Sequence, residues 1–288
     1  MQEILPDNTY SHSYPIPTST SPIRLVTSET TSFERLSQIA AFYDSETEEY
    51  DNGYSTPLCQ AEDRVWSHLI QNIVGSKVID VGCGTGDFLK SFQPIEYVGL
   101  DISHQMAKIA HQKYGRAFIV ANMHSLPFPD NYFDTLVSMY GPISYSLAPQ
   151  ELIQEFARVI RPEGSLIVMP YTKRVEKGEG GSISEKRILA GDYSTAINPD
   201  IKKVFYSTQM LKELFSGFDD VSIMGINFTA NGIEQADKIL QRVFKKEPLS
   251  VEFYQNYMLW ELENMDDKDR LVEYARHAIV IARKPGKL

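Results

Sequence analysis

The 288-residue sequence is poor in cysteine and in basic charge. Its two cysteines, Cys59 and Cys83, are too few for a disulfide framework or a structural zinc site, and a chain of this length can bury a full core without either. The sequence has 28 Lys and Arg residues and 38 Asp and Glu residues, so its formal net charge is -10. This balance argues against partners that present a phosphate backbone or an anionic lipid surface.

Long apolar runs are absent as well. No window reaches the roughly 20 apolar residues that a membrane-spanning helix needs. The first residues, MQEILPDNTY, lack the basic and apolar regions of a secretory signal. His104, His111 and His124 do not have a metal-binding spacing. We therefore expect a cytoplasmic protein with no membrane partner and no metal.

The chain divides into uneven parts. Residues 1–32 are rich in Ser, Thr and Pro, and they form either a disordered tail or, because aromatic and apolar side chains lie among them, a lid over a site. Residues 33–288 are predicted to be one domain with two substrate-cap insertions, at 171–205 and 229–275. Apolar residues in 229–275 recur at helical spacing, which is typical of core packing, a homodimer contact or a lid.

Short apolar runs dominate the middle of the chain. The runs KVIDVG, YVGLDI, AFIVAN, FDTLVSMY and SLIVMP alternate with helical stretches, and DVSIMGINF and HAIVIA follow later. Continuous apolar strands that alternate with helices predict a parallel sheet covered on both faces. Right-handed crossovers then give a doubly wound α/β sheet.

A glycine-rich loop follows the first predicted strand. Gly82, Gly84 and Gly86 stand at alternate positions, where the lack of a Cβ lets a ligand approach the backbone. Dinucleotide fingerprints have the spacing GxGxxG, whereas this loop has GxGxG followed by Asp87, whose charge would repel a pyrophosphate. The loop therefore suits a ligand with an ammonium and a sulfonium, although a plain tight turn is the simpler alternative.

Polar residues end the second and third predicted strands. Asp101 can accept hydrogen bonds from two ribose hydroxyls, while its alternative role is a helix cap. Asn122 can bond the edge of an adenine, and Met123 offers a soft apolar surface to its face. A tight glycine turn and a helix cap would not explain why all of these residues occur at these spacings. We therefore favour a site for a nucleoside cofactor.

These motifs together resemble those of the class I S-adenosylmethionine-dependent methyltransferases. VIDVGCGTGDF is similar to their first motif, VGLDIS to the second, and ANMHSLPFPDNYFDTLVSM to the third and fourth. VIRPEGSLIV is similar to the turn into their fifth strand, and HAIVIARK to their closing strand. The resemblance implies a Rossmann-like, mostly parallel sheet with an antiparallel last strand and helical additions that form a cap.

The resemblance also implies the cofactor, S-adenosyl-L-methionine, and residues that contact it. Backbone of the glycine loop would line its methionyl part, Asp101 its ribose, and Ile102 and Asn122 its adenine. The segment YDNGY is similar to one that covers the cofactor in members with small substrates. The implied cofactor-binding residues are Tyr54, Asp80, Gly82, Cys83, Gly84, Asp101, Ile102, Met106, Asn122, Met123, Met139 and Tyr140.

Tyrosines are the best indication of the methyl acceptor. Tyr140, Tyr145, Tyr171 and Tyr206 follow strands or lie in loops at the carboxyl edge of the predicted sheet, where open α/β folds bind ligands. The candidate acceptor-binding residues are Tyr50 of YDNGY, Tyr145, Tyr171 and Tyr206. The alternative for each tyrosine is that its ring packs against the protein while its hydroxyl faces water. As a set they predict a pocket for an aromatic or amphipathic acceptor, or for a cation on the ring faces.

Three functions are compatible with the sequence. We favour an enzyme that methylates an oxygen or nitrogen of a small organic acceptor. The alternatives are a methyltransferase that acts on RNA or protein, and a non-catalytic module that binds the cofactor. The acidic balance counts against RNA, and the sequence SMYGP replaces the NPPY-like tetrapeptide of adenine and glutamine methylation. No catalytic base is identified, although His277 is a candidate.

Overall fold

The computed structural model describes residues 33–172, 201, 203–266, 268–275 and 277–286. The predicted tail or lid at 1–32 and nearly all of the insertion at 171–205 lie outside the described residues. The described residues form one sheet of seven strands, in the order β3-β2-β1-β4-β5-β7-β6. The strands are β1 (Lys77–Val81), β2 (Glu96–Asp101), β3 (Ala117–Val120), β4 (Phe133–Ser138), β5 (Ile160–Val168), β6 (Asp219–Ile226) and β7 (His277–Arg283).

Strand directions confirm the predicted sheet. Parallel pairs join β1 to β2 and β4, β2 to β3, and β4 to β5. Only β7 runs against its neighbours β5 and β6. Strand order reverses between β1 and β4, so the crevice at their carboxyl ends is the expected place for a ligand.

Both faces of the sheet are buried. Val78 and Ile79 are neighbours on β1, and both are fully buried, in two different apolar clusters on opposite faces of the sheet. Because successive strand residues point to opposite faces, a strand covered on both sides needs a continuous apolar run. This is why KVIDV does not alternate with polar residues.

Helices cover the sheet. They are α1 (Phe33–Ser45), α2 (Thr47–Gly53), α3 (Pro57–Ile70), α4 (Phe88–Ser91), α5 (His104–Tyr114), α6 (Pro149–Val159), α7 (Thr208–Leu214), α8 (Ala230–Phe244), α9 (Val251–Asn264) and α10 (Lys268–Tyr274), with a 3₁₀ turn at Pro142–Tyr145. Thr56 caps α3, its hydroxyl accepting from the amide of Cys59, and Pro57 takes the first helical position, where its missing N–H costs nothing. Helix α3 ends at Ile70.

The helices between β6 and β7 contribute to the core. Tyr254 and Met258 of α9 are almost fully buried in the same apolar cluster as Val65 of α3. Outward-facing Val243 and Phe244 at the end of α8 are 63% and 66% exposed, so a homodimer contact there stays a prediction. Within the described ranges, no helix combines the length and apolarity needed to cross a bilayer.

Candidate active site

The glycine loop lies directly after β1, under the 3₁₀ turn. Gly82 has φ +73°, a left-handed conformation, and a Cβ added there would lie 2.4 Å from Cγ of Pro142. The amides of Gly82 and Cys83 both donate to the carbonyl of Leu100, at 2.6 and 3.0 Å. Glycine is therefore required at position 82 both by the backbone conformation and by the close approach of the turn.

Asp101 ends β2 and is held beside this loop. Its Oδ2 accepts from the amide of Gly84 and its Oδ1 from the amide of Ser103, both at 2.9 Å. Burial raises the pKa of its carboxyl, against these two amides, which lower it. Helix α5 is capped by Ser103, whose hydroxyl accepts from the amide of Met106 at 3.0 Å. The alternative role of Asp101 as the helix cap was therefore wrong.

A first cavity of about 700 Å³ opens at the carboxyl ends of β1 to β4. It brings together Asp101, Ile102, Asn122 and Met123, as the sequence predicted. Helix α1 closes it from above. The lining residues are Leu36, Ile39, Tyr43, Tyr50, Gly82, Gly84, Leu100, Asp101, Ile102, Ala121, Asn122, Met123, Met139, Tyr140, Pro142 and Tyr145.

A second cavity, of about 690 Å³, lies on the other side of the glycine loop. Four carboxylates line it, those of Glu62, Asp63, Asp80 and Asp87, and among the described residues it has no lysine or arginine in its wall. Such a wall attracts a cation. The other lining residues are Tyr50, Tyr54, Cys59, Trp66, Gly82, Cys83, Gly84, Thr85, Phe88, Met139 and Tyr140.

Two of these acids, Asp80 and Asp63, have a raised pKa. Burial raises the pKa of Asp80 to about 7, although Tyr97 donates its hydroxyl to Oδ2 at 2.9 Å. Burial likewise raises the pKa of Asp63 to about 6. The hydroxyl of Tyr140 donates to Asp63 Oδ1, and the indole N–H of Trp66 lies 2.8 Å from that hydroxyl and 3.2 Å from Oδ1. Both carboxyls can change protonation near neutral pH.

The two cavities meet at one place. They share Tyr50, Gly82, Gly84, Met139 and Tyr140. Burial raises the pKa of the Tyr50 and Tyr140 hydroxyls well above the ordinary value, so both stay protonated. A ligand that crosses this junction passes between two tyrosines and the end of β4.

Helices α1 and α2 cover the junction, and an aspartate of each helix bonds this cover to the residues below it. Asp44 of α1 accepts from the hydroxyl of Ser103 and from the amide of Gln105. Asp51 of α2 accepts from the hydroxyl of Thr85 at 2.6 Å and forms an ion pair with Lys113. The cover is thus bonded directly to the glycine loop and to α5.

Aromatic side chains form a closed circle beside the junction. Neighbouring ring centres around the circle lie 5.0 to 6.5 Å apart. The members, in order, are Tyr43, Tyr50, Tyr54, Tyr140, His277, Tyr171 and Tyr145, and we call this set the aromatic circle. It joins α1, α2, the loop after β4, the segment after β5 and the first residue of β7.

Most of the predicted site residues therefore lie together, and two do not. Tyr206 lies in the core below the sheet edge, 1% exposed, with its hydroxyl 3.5 Å from the carbonyl of Ile143, and it lines neither cavity. Met106 is a fully buried residue of α5 and is likewise absent from both walls. Tyr171 lines neither cavity but belongs to the aromatic circle.

Sequence reasoning missed the residues that α3 contributes. Glu62, Asp63 and Trp66 all line the second cavity. Asp63 and Trp66 are three residues apart, a helical spacing that puts both on one face, and this was the available signal. Glu62 pairs with His277, Oε1 to Nδ1 at 2.5 Å, across 215 residues of sequence. No local pattern marks such a pair.

Comparisons with known proteins agree with this geometry. The family model of the methyltransferase domain matches residues 79–168. Protein MJ1252 of Methanocaldococcus jannaschii is 30% identical over 224 residues, which cover 72% of this chain and 86% of that protein. The ubiquinone/menaquinone biosynthesis C-methyltransferase UbiE of Campylobacter jejuni is 32% identical over 159 residues, which cover 50% of this chain and 65% of UbiE.

A solved structure shares the fold. It is a SAM-dependent methyltransferase from Thermotoga maritima, with a TM-score of 0.54 and 18% identity, over 85% of this chain and 99% of that one. At this level of identity the likeness concerns the fold alone.

Proposed function

Because the chain belongs to the class I S-adenosylmethionine-dependent methyltransferases, we propose that it transfers the methyl group to an oxygen or nitrogen of a small organic acceptor. The cofactor is S-adenosylmethionine, and the reaction class is methyl transfer. What we propose is the class of the acceptor, the residues that bind the cofactor and the residues that contact the acceptor. It rests on one observation: the aromatic circle adjoins the junction of the two cavities, under a cover that is bonded in place.

In this proposal the cofactor occupies both cavities. Adenosine fills the first, with its ribose hydroxyls on Asp101 and its adenine between Ile102 and Met123. The methionyl part would cross the glycine loop into the second, where the carboxylate of Asp80 would face its ammonium. The acidic wall supports this direction, because the reverse would put an ammonium among apolar side chains and leave four carboxylates facing an adenine.

The sulfonium would then lie at the junction, beside Tyr50, Met139 and Tyr140, which line both cavities. Methyl transfer is an in-line displacement on an activated carbon, so the protein mainly aligns the reactants and excludes water. The cover of α1 and α2, held by Asp44 and Asp51, supplies that exclusion. An acceptor reaches the methyl group from the side of the aromatic circle.

Enclosure favours a small molecule over a macromolecule. Tyr145 lines the first cavity and is 4% exposed, so an acceptor beside it would leave bulk water. Within the described part of the chain, neither cavity has a lysine or arginine in its wall to receive a phosphate backbone. We therefore place RNA second to a small organic compound.

Transfer of a labelled methyl group tests the proposal. The protein is incubated with methyl-labelled S-adenosylmethionine and panels of amines, phenols, carboxylic acids and bulk tRNA, and label is counted in each product. We expect turnover with one small-molecule panel and background with tRNA. Label in tRNA alone would contradict the proposal, and cofactor binding with no transfer to any panel would favour a non-catalytic module.

Carbon methylation is a second candidate. It is favoured by the likeness to UbiE, whose name states a C-methyltransferase and of which this chain matches 65%. A panel of phenols with free ring positions separates the two, since mass spectrometry of the product distinguishes a methyl on carbon from one on oxygen. Carbon methylation in that panel would replace the proposed oxygen or nitrogen acceptor.

A further inference from the structure

Helix α8 turns apolar side chains to the outside of the molecule. Ile239, Leu240, Val243 and Phe244 are 39 to 66% exposed, and their spacing of three and four residues puts them on one stripe of the helix. A surface helix of a globular protein ordinarily turns such a stripe toward the core. We call these four residues the α8 stripe.

The face of α8 that packs inward is acidic instead. Glu234 and Asp237 are only 4% and 6% exposed. Both acids are paired: Lys238 Nζ lies 3.2 Å from Glu234 Oε2, and Asp237 Oδ2 accepts from the amide of Leu249 at 2.9 Å. A buried carboxylate is costly unless it has such partners. Because these bonds hold the acidic face inward, α8 cannot rotate to bury the α8 stripe without breaking them.

Cations accompany the α8 stripe. Residues 238–246 contain four lysines and arginines and no acid, although the whole chain has a net charge of -10. Arg242, Lys245 and Lys246 are exposed, and among the described residues none of the three has an ion-pair partner. The end of α8 therefore combines exposed apolar side chains with positive charge that no carboxylate compensates.

We propose that α8 lies on an anionic phospholipid surface, with the α8 stripe among the acyl chains and Arg242, Lys245 and Lys246 among the phosphates. Apolar side chains flanked by lysine and arginine on one helix are what such a surface binds. The acidic balance of the whole chain argued against this partner. Salt, however, screens exposed charges beyond about 8 Å, so the lipid responds mainly to the face that it touches. The inference goes beyond the proposed function and does not depend on it.

A second copy of the chain fits the α8 stripe less well. In a two-fold contact both partners present the same surface. The cations of residues 238–246 would then face one another, with no acid in that stretch to pair with them, and like charges in a contact are unfavourable. A phospholipid surface supplies acyl chains for the α8 stripe and phosphates for the cations.

Flotation with vesicles tests the inference on the unaltered chain. One set of vesicles is pure phosphatidylcholine, and the other is an equal mixture of phosphatidylcholine and phosphatidylglycerol. We expect the mixed vesicles to bind the protein at least about tenfold more tightly, because three unpaired cations face their phosphates. Added salt should weaken that binding. No binding to the mixed vesicles, or equal binding to both sets, would overturn the inference.

Matched variants identify the surface that binds. Val243→Asn should lower the affinity for the mixed vesicles about tenfold, the effect of keeping one valine out of an apolar layer. Ile95→Asn removes another exposed apolar side chain, directly before β2, and should bind as the unaltered protein does. Lys246→Gln should weaken binding to the mixed vesicles alone. Equal losses for Val243→Asn and Ile95→Asn would overturn the inference.

Two further measurements separate this inference from folding and from self-association. No residue of α8 lines either cavity, so every variant should keep its affinity for S-adenosylhomocysteine. Sedimentation without lipid measures the oligomeric state. A dimer that Val243→Asn dissociates, together with no vesicle binding, would assign the α8 stripe to a second copy and overturn the inference.

Discussion

The cofactor side and the acceptor side of the site are built in different ways. The cofactor side takes its residues from the ends of adjacent parallel strands, β1 to β4, within about 60 residues of sequence. The acceptor side draws on α1, α2, α3, the loop after β4 and β7, and the pair of Glu62 and His277 joins residues 215 apart. A shared cofactor is thus bound by a local motif, and an acceptor by tertiary structure.

This difference explains what the sequence could predict. Gly82, Asp101 and Asn122 follow apolar strands at fixed spacings, and parallel strands bring their carboxyl ends to one edge, so their meeting was predictable. The antiparallel β7 came from the resemblance of HAIVIARK. Both inferences required only the order of the residues along the sequence.

The acceptor side could not be predicted in the same way. Asp63 and Trp66 look like ordinary polar and apolar positions of an amphipathic helix until α3 is packed against the glycine loop. Tyr206 and Tyr171 are both aromatic residues in predicted loops, yet they pack in two different apolar clusters, and of the two it is Tyr171 whose ring contacts Tyr145 and His277. Packing alone separates them.

The largest effect should come from the cofactor side. Asp101→Ala removes the carboxylate proposed for both ribose hydroxyls and leaves the Gly84 amide without its acceptor. Two hydrogen bonds to a charged group contribute about 2 kcal/mol each, so affinity for S-adenosylhomocysteine should fall about 1,000-fold by calorimetry. Asp130→Ala, at a surface ion pair, is the control and should change nothing. A loss of affinity below tenfold for Asp101→Ala would contradict the proposed contact between Asp101 and the ribose.

A smaller effect, confined to turnover, should come from Asp63 on the acceptor side. Asp63→Asn keeps the shape but cannot take a proton, and kcat should fall about 100-fold, within the range for general bases. With saturating cofactor, kcat/KM of the unaltered protein should fall as pH drops below about 6, where this carboxyl becomes protonated. Asp130→Ala, at a surface ion pair, is the control and should keep the kcat of the unaltered protein. A normal kcat for Asp63→Asn would exclude the base.

The pH dependence of cofactor binding should be smaller still. Because the pKa of Asp80 is raised to about 7 in the free protein, it is ionised above that pH and neutral below it. A cationic amino group binds the ionised form, so affinity for S-adenosylhomocysteine should fall about tenfold from pH 8 to pH 6. Asp80→Asn should bind weakly with a flat profile. A tenfold dependence that persists in this variant would assign the titration to another group.

The smallest effect should come from Tyr206, which the sequence assigned to the acceptor and the structure to the core. Tyr206→Phe removes one long hydrogen bond to Ile143 and should lower the free energy of unfolding by at most about 1 kcal/mol. Its kcat and KM for the acceptor should stay within twofold of the unaltered protein, while chemical denaturation measures the stability. A tenfold rise in the KM for the acceptor would indicate that Tyr206 contacts the acceptor, as the sequence predicted.

The division between the two sides is tested most directly by a crystal structure with S-adenosylhomocysteine. We expect ribose hydroxyls on Asp101, the ammonium among the carboxylates of the second cavity, and sulfur between Tyr50 and Tyr140. An adenine inside the aromatic circle, or an ammonium on the apolar side of the first cavity, would contradict it.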